Sequence, residues 1–472
     1  MEETPLEGVG LHHQLQKDGD VEILEHDKSG NVQRRWLHKA DKSIVPVVDQ
    51  DKSNGFFSVS AREWRKVLSD AFLPVGFPHS VSEDYLAYQT YDSLQAFFST
   101  ITALLANRAL LQGLGVGDAN SSATFALLLT ILKDAMSRVA TIVFAHRFGL
   151  RIEPDAKRYR FLADLFNDTA FFLELWSPFL GSWGKVAALS VGEALRALCG
   201  VAAGASKAAL SVHFAKHDNL AELNAKEASQ ETAVGLVGLL VGTFVVKYVE
   251  DHTSVVALTV LLVLAHLWMN YLGVRCVQMN TFNRQRATIV YSEYLHSGKI
   301  LTPAEVSARE SIVFWYPIVT NFEGDPIAVV EFAKGYKDAM EGFSPSRDVT
   351  VLDGTGYSMF ICKSHEFLPR VRLLLSAGTS PQHAIRAWFE AMDMAWHWES
   401  PKGDGKWNKM LAKRIFKGRS GGFSVPTPAF EIGDLEWIWE RLVQKGWSLE
   451  TQAFETEAPV RLSFRAMDRK KE

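Results

Sequence analysis

Cysteine is scarce in this 472-residue chain: Cys199, Cys276 and Cys362 stand far apart, with no Cys-x-x-Cys pair and no histidine at metal-ligand spacing. That pattern indicates neither a disulfide framework nor a zinc site. A dominant charge is missing too. The formal net charge is −4, and no long basic run interleaved with aromatics appears, so there is no electrostatic footprint for nucleic acid. The first fifty residues lack an apolar core and carry many acids, among them Glu2, Glu3, Glu7, Asp18, Asp20, Glu22 and Glu25, which argues against a cleaved secretory or transit peptide. No Ser-His-Asp arrangement, nucleotide-binding loop or paired-carboxylate pocket can be read from the chain. No catalytic residue, resident cofactor or metal is expected.

Long apolar stretches, by contrast, dominate the middle. Six segments run from Leu94 to Leu114, Ala123 to Phe148, Phe161 to Leu180, Val186 to Phe214, Ala233 to Val249 and Val255 to Val277. Most reach the roughly 17 to 25 residues that a helix needs to cross a hydrocarbon core. Charges interrupt them, as a large soluble helical bundle would also allow. The connections decide for a membrane: basic flanks (Arg62, Arg65, Lys66; Arg147, Arg151, Lys157, Arg158, Arg160; Lys216, Lys226; Arg275, Arg284, Arg286) alternate with base-poor ones. Such alternation predicts six spans with both termini on the cytosolic side. The fold class expected is mainly α: a polytopic helical membrane bundle with a polar N-terminal segment and a small C-terminal α+β domain. The boundaries are 1–80, 81–310 and 311–472.

Outside the middle, Val21–His26 and Val32–Leu37 flank the turn signal Lys28-Ser29-Gly30 and predict a hairpin. Ser80 or Ser82 is expected to cap a helix with Glu83 and Asp84 in its first turn. A link near Phe343 to Gly356 precedes strands at Gly356–Lys363 and Arg370–Leu375, helices at Pro381–Trp398 and Asp434–Lys445, and a strand at Pro459–Phe464. The Gly- and Lys-rich stretch Ser400–Gly422 reads as a loop.

Several motifs in order resemble those of the RUS (root UVB sensitive) family, also described as the vitamin B6 photoprotection family. They are Val75-Gly76-Phe77-Pro78-His79-Ser80-Val81-Ser82-Glu83-Asp84-Tyr85-Leu86, Tyr88-Gln89, Asp92-Ser93-Leu94-Gln95-Ala96-Phe97, Lys133-Asp134, and Asp155 to Arg160. Further on come Ala163-Asp164 with Asn167-Asp168, Asn219-Leu220-Ala221, Asn224 to Glu227, Ser229-Gln230-Glu231-Thr232, and Asn280 to Arg286. The resemblance spans about residues 60–310. Tyr91 stands where the family has Trp, and Ala228 where many members have Gly, which puts the turn before Ser229 in question. Membership implies a membrane-associated protein, tied in plants to early seedling development, UV-B response and vitamin B6 homeostasis, with no established catalysis. It also implies lipid contact and a homo- or heterodimer with another member, and it leaves a pyridoxal-phosphate-related ligand open.

Charged side chains inside a bilayer are costly, at roughly 2.5 to 3.5 kcal/mol each on insertion scales, so Arg108, Asp134, Arg138, Asp164, Asn167 and Asp168 form the candidate intramembrane polar site. Asp134 with Arg138, and Glu193 with Arg196, have the spacing of helical ion pairs. Asp164 and Asp168 share a sign, which calls for Arg138 or Arg108 from another helix, or a proton. Lys157, Arg158 and Arg160 read as a cytosolic loop that contacts lipid headgroups or a phosphorylated solute. Asp92, Gln95 and Lys226 belong to the family motifs, and Ser229 is expected to cap a helix carrying Gln230, Glu231 and Thr232 in its first turn. Gly238-x-x-x-Gly242, and Gly200 with Gly204, predict close helix contacts. Two functions compete: a transporter-like or solute-binding membrane protein linked to vitamin B6 homeostasis, and a non-transporting scaffold whose C-terminal part recruits partners. Arg147-Phe148-Gly149 followed by Lys157 to Arg160 is loosely similar to the cytosolic loop of major-facilitator transporters, an analogy only.

Overall fold

The computed structural model describes residues 20–26, 32–41, 43–47, 64, 67–113, 123–321, 323–340, 349–362, 368–399, 436–457 and 459–464. The turn Lys28-Ser29-Gly30 and the stretch Ser400–Gly422 lie outside these. The alternating pattern near the N-terminus forms strands β1 (Val21–His26) and β2 (Val32–His38), paired antiparallel, with β3 (Ile44–Pro46) added on the far side of β2.

The apolar middle folds into α1 (Tyr85–Gly113), α2 (Ala123–Ile152), α3 (Ala156–Trp176), α4 (Ser182–Phe214), α5 (Leu220–Tyr248) and α6 (His252–Cys276). Among the described residues, four of them, α1, α4, α5 and α6, are long and apolar enough to cross a membrane by length and composition. The other two are not. Lys133, Asp134 and Arg138 interrupt α2, and Asp164, Asp168 and Glu174 interrupt α3, so composition supports four spans where the apolar segments predicted six. Large apolar side chains stand exposed along α2 and α5, including Leu127, Leu128, Ile142, Val143, Leu236, Leu240 and Phe244. A band of that extent marks a surface made for something other than water.

Close packing of α5 on α1 follows from its glycines. A Cβ at Gly238 would stand 2.9 Å from that of Thr100, and one at Gly242 would run into Leu104. The same expectation fails for Gly200 and Gly204, which have nothing within 4 Å. Ser229 does not begin a helix either: α5 starts nine residues earlier, at Leu220, so no turn precedes Ser229 and Ala228 sits inside a continuous helix. Likewise α1 starts at Tyr85, after Glu83 and Asp84 rather than around them. Ser82 donates to Asp84 at 2.5 Å, and Asp84 accepts from Gln278 N at 2.5 Å and faces His213 Nε2 at 3.0 Å. That single carboxylate gathers the start of α1, the end of α4 and the exit of α6 at one end of the bundle.

Beyond α6 come β4 (Thr281–Asn283), α7 (Arg284–Ser297) and α8 (Pro303–Ser307). Asn283 caps α7 by accepting from Arg286 N at 2.8 Å, and Gly298, at φ +71°, closes it in the left-handed region. Thr302 and Glu305 form a capping box on α8. The sheet starts earlier than the sequence suggested: β5 (Ile318–Thr320) and β6 (Pro326–Phe332) precede α9 (Tyr336–Met340), and β7 (Val349–Gly354) occupies the supposed link. With β8 (Tyr357–Cys362) and β9 (Arg370–Ser376) the strand order is β5-β6-β9-β8-β7, β6 and β9 running parallel and the other neighbours antiparallel. Helix α10 (Pro381–Glu399) buries Ala384, Ile385, Trp388, Phe389 and Met392 in a core shared with α7. After α11 (Glu436–Gln444), β10 (Ser448–Ala453) pairs parallel with β4, and the last strand shrinks to β11 (Arg461–Leu462). The β4–β10 pairing fastens the C-terminal part to the segment leaving the helical bundle.

Candidate functional site

Three helices each present a polar stripe at helical spacing. Tyr88, Asp92 and Gln95 lie on one face of α1, Arg160, Asp164 and Asp168 on one face of α3, and His266 and Asn270 on one face of α6. The stripes meet in the middle of the bundle. Arg160 Nη2 donates to Asp92 at 2.6 Å, its Nε donates to the Tyr88 hydroxyl at 3.3 Å, and its Nη1 lies 3.5 Å from Asp164. The other oxygen of Asp164 accepts from both Gln95 and Asn270. His266 joins the two carboxylates of α3: Nδ1 is 2.9 Å from Asp168 and Nε2 is 3.7 Å from Asp164. Asp168 is only 2% exposed, His266 1% and Asn270 2%, and among the described residues nothing bonds Asp168 Oδ1.

The charge inventory is uneven. Asp92, Asp164 and Asp168 face one guanidinium and one imidazole, so even a protonated His266 leaves the cluster short of one positive charge. A buried cluster of this kind takes up a proton or a cationic group, because an uncompensated charge in low dielectric is expensive.

Several pairings differ from those the spacing suggested. Arg108 donates to the Val249 carbonyl at 3.3 Å, and Asp134 and Arg138 lie exposed on α2, so none of the three reaches Asp164 or Asp168. Glu193 pairs with Lys133 on α2 at 3.2 Å, not with Arg196. Arg196 instead chelates Glu174 on α3, donating to Asn167 at 3.4 Å as well. Cross-helix partners win here because Glu193 faces α2 and Arg196 faces α3. Lys226 and Gln230 of α5 donate to the carbonyls of Asp70 and Phe72, Glu231 pairs with Lys207 at 3.1 Å, and Thr232 bonds its own helix at Ala228. Lys226 and Gln230 thus tie down the segment before α1, Glu231 joins α5 to α4, and all four lie apart from the polar cluster.

The expected basic loop is the first turn of α3. Lys157 and Arg160 are 5% and 8% exposed, and only Arg158 reaches solvent. Lys157 binds Glu310 and, at 3.1 Å, Ser307; Arg286 reaches the other oxygen of Glu310 at 3.0 Å. Burial works against charge on Glu310, yet Lys157 and Arg286 together hold its carboxyl below the ordinary carboxylate range. His266 and Asn270 escaped the sequence reading. Their signal was present, as two polar residues four apart in an otherwise apolar helix. Among the described residues no group of three or more His, Cys, Asp or Glu side chains is arranged to hold a metal.

Comparison with known proteins places this sequence in a family. A family model described as the vitamin B6 photo-protection and homoeostasis domain matches residues 58–298, which contain all eight residues of the central cluster. RUS family member 1 of Dictyostelium discoideum is 40% identical over 268 residues, 56% of this chain and 49% of that protein. Protein root UVB sensitive 3 of Arabidopsis thaliana is 30% identical over 379 residues, 77% of this chain and 83% of its own length. Protein root UVB sensitive 2, chloroplastic, of the same plant is 29% identical over 307 residues, covering 64% and 67%. The chain thus spans about half of the Dictyostelium relative and most of the Arabidopsis ones. No solved structure matches it. A family model covering half the chain, together with these relatives, makes this protein a member of the RUS family, the family of vitamin B6 photo-protection and homoeostasis.

Proposed function

We propose that this chain is a multi-pass membrane protein of vitamin B6 homeostasis whose helical core binds a small polar solute and couples it to a proton. The observation that carries this reading is the Asp164–His266–Asp168 chain, enclosed by apolar helices and lacking one positive charge. Six crossings, with the charges of α3 shielded by its neighbours and α2 packed on α4 with its apolar face outward, put both termini on one side, the cytosolic one. Support comes from the contacts at Asp84, which collect the start of α1 and the ends of α4 and α6 at a single end, and from the bases clustered there. Membrane lipids and a second RUS-family subunit are the proposed partners, and a pyridoxal-phosphate-related molecule is the proposed ligand. The scaffold reading draws on exposed Phe314 and Tyr316 ahead of β5.

The test is uptake of labelled pyridoxine and pyridoxamine 5′-phosphate by the full chain in proteoliposomes, with and without a pH gradient. Asp164→Asn, Asp168→Asn and His266→Gln, each shown by alkaline carbonate extraction to remain in the membrane, are expected to lose uptake by more than about tenfold. Undiminished uptake by all three overturns the reading. Loss of function only on deletion of the C-terminal sheet favours the scaffold.

A further inference from the structure

A cavity of about 620 Å³ opens where the helical bundle meets the C-terminal sheet. Its volume is that of a small-molecule site. Part of the lining is apolar, formed by Phe144, Phe148, Phe166 and Leu198 from α2, α3 and α4; Trp315 also lines it, with the Arg284 guanidinium 5.8 Å over its ring. The rest is charged. Arg151, Lys157, Arg158, Arg284, Arg286 and Lys334 line the cavity together with Asp155, Glu310, Glu331, Glu455 and Glu457. Two of those acids are already engaged by other arginines, Glu331 by Arg372 at 2.9 Å and Glu455 by Arg461 at 2.6 Å. Six bases therefore meet three available acids.

The guanidinium groups also keep donors in reserve. Among the described residues, nothing accepts from the enclosed Arg286 Nη2, Arg284 Nε or Arg151 Nε. Arg286 is 2% exposed, and its Nε and Nη1 are already spoken for by the Thr281 carbonyl at 2.6 Å and Glu310 at 3.0 Å, so the fixed fork presents its last nitrogen without a partner. A buried N–H without an acceptor costs about 1–3 kcal/mol, and charged donors cost more. Arg158, exposed at the same site, has no ion pair among the described residues. Several arginines that converge on one cavity with unspent donors match the three oxygens of a phosphomonoester, which Arg reads by fork geometry and Lys only by charge.

We propose that this junction cavity binds a phosphomonoester attached to an aromatic or apolar body, the phosphate among Arg151, Arg158, Arg284 and Arg286 and the body against Phe144, Phe148 and Trp315. The inference deepens the proposed function by naming the ligand class. It uses a different set of residues from the Asp164 cluster, and its test is equilibrium binding, so failure of transport leaves it standing.

The test titrates the full-length protein in detergent with pyridoxamine 5′-phosphate, followed by its fluorescence, using unphosphorylated pyridoxamine as control. A second arm uses vesicles of phosphatidylcholine with or without phosphatidylinositol 4-phosphate. Saturable binding of the phosphorylated probe, lost for pyridoxamine and weakened about tenfold or more by Arg158→Ala or Arg284→Gln, supports a site for a free phosphomonoester. Vesicle binding that requires the phosphoinositide and shows the same arginine dependence assigns the site to a lipid headgroup. Arg158→Ala removes an exposed side chain with no ion pair, so its fold is expected to survive, and far-UV circular dichroism checks this. Equal affinity in wild type and both variants, or no binding by either probe, overturns the proposal.

Discussion

Glu310 is a buried carboxylate that joins a base of the helical bundle to one beyond it, and its removal has a calculable effect. It is 5% exposed and sits between Lys157 of α3 and Arg286 of α7. Glu310→Gln keeps the volume and one acceptor oxygen but leaves two buried cations with no counter-charge. Breaking a buried pair by removing one partner costs roughly 3–5 kcal/mol, and the retained amide oxygen puts this case at the lower end, about 3 kcal/mol. At 1.4 kcal/mol per decade, that is on the order of a 150-fold rise in local opening. Amide hydrogen exchange in detergent, followed at α8 and the first turn of α3, reads this directly. The double variant Glu310→Gln/Lys157→Met removes one stranded charge and is expected to recover at least half of the lost protection, because pairs in one network do not add. Exchange within about twofold of wild type in the single variant would refute the idea that charge balance holds this junction.

Asp84 gives a pH prediction. Burial raises its pKa, but His213, the Gln278 amide and Ser82 outweigh it and hold the carboxyl at about 2, against 3.8 unperturbed. A depressed acid stabilises the fold above its unfolded pKa and loses that contribution as pH falls toward the folded one. Unfolding monitored by tryptophan fluorescence should therefore show a deficit of about 2 kcal/mol for Asp84→Asn at pH 7 that vanishes between pH 4 and pH 2. A deficit independent of pH would refute the electrostatic account. The glycines give a paired prediction: Gly238→Ala, forced against Thr100, should lower stability by about 1–3 kcal/mol, whereas Gly200→Ala, with open space, should raise it by up to about 1 kcal/mol through helix propensity. Thermal unfolding of both variants checks it, and equal effects refute the packing argument. Arg196→Ala strands Glu174, which is 1% exposed, and should cost about 3 kcal/mol, whereas Arg138→Ala on the outer face of α2 should cost less than about 0.5 kcal/mol.

Length and period made the elements legible, whereas partner choice was not. The six long helices and the strands at Tyr357–Cys362 and Arg370–Ser376 follow from hydrophobic runs bounded by breakers. Spacing along one helix, however, says which residues share a face and nothing about which neighbour that face meets. Glu193 and Arg196 could reach one another, yet each faces a different helix, Lys133 of α2 for one and Glu174 of α3 for the other. The basic run at 157–160 was misplaced for a related reason. Its density of charge looks like a solvated loop, but Pro154 and Asp155 complete the turn, and two of its three bases are neutralised by acids distant in the chain.

Helix α3 shows why composition and burial part company. From Lys157 to Glu174 it rises about 25 Å at 1.5 Å per residue, close to the roughly 30 Å of a hydrocarbon core. Over that length it carries Lys157, Arg160, Asp164, Asp168 and Glu174, all buried. A helix bathed in lipid could not afford them, so hydropathy excludes α3 as a span. Every one of these charges, however, meets a partner: Glu310, Asp92, Gln95 with Asn270, His266 and Arg196, in that order along the helix. Those partners come from α1, α4, α6 and the segment after α8, so the charged face of α3 meets its neighbours while exposed positions such as Leu165 and Trp176 are apolar. The apolar outer faces of α1, α4, α5 and α6 and the charged axis of α3 are then two halves of one arrangement. A sequence-local measure of hydrophobicity records only the first half, and the proposed solute and proton path lies along the second.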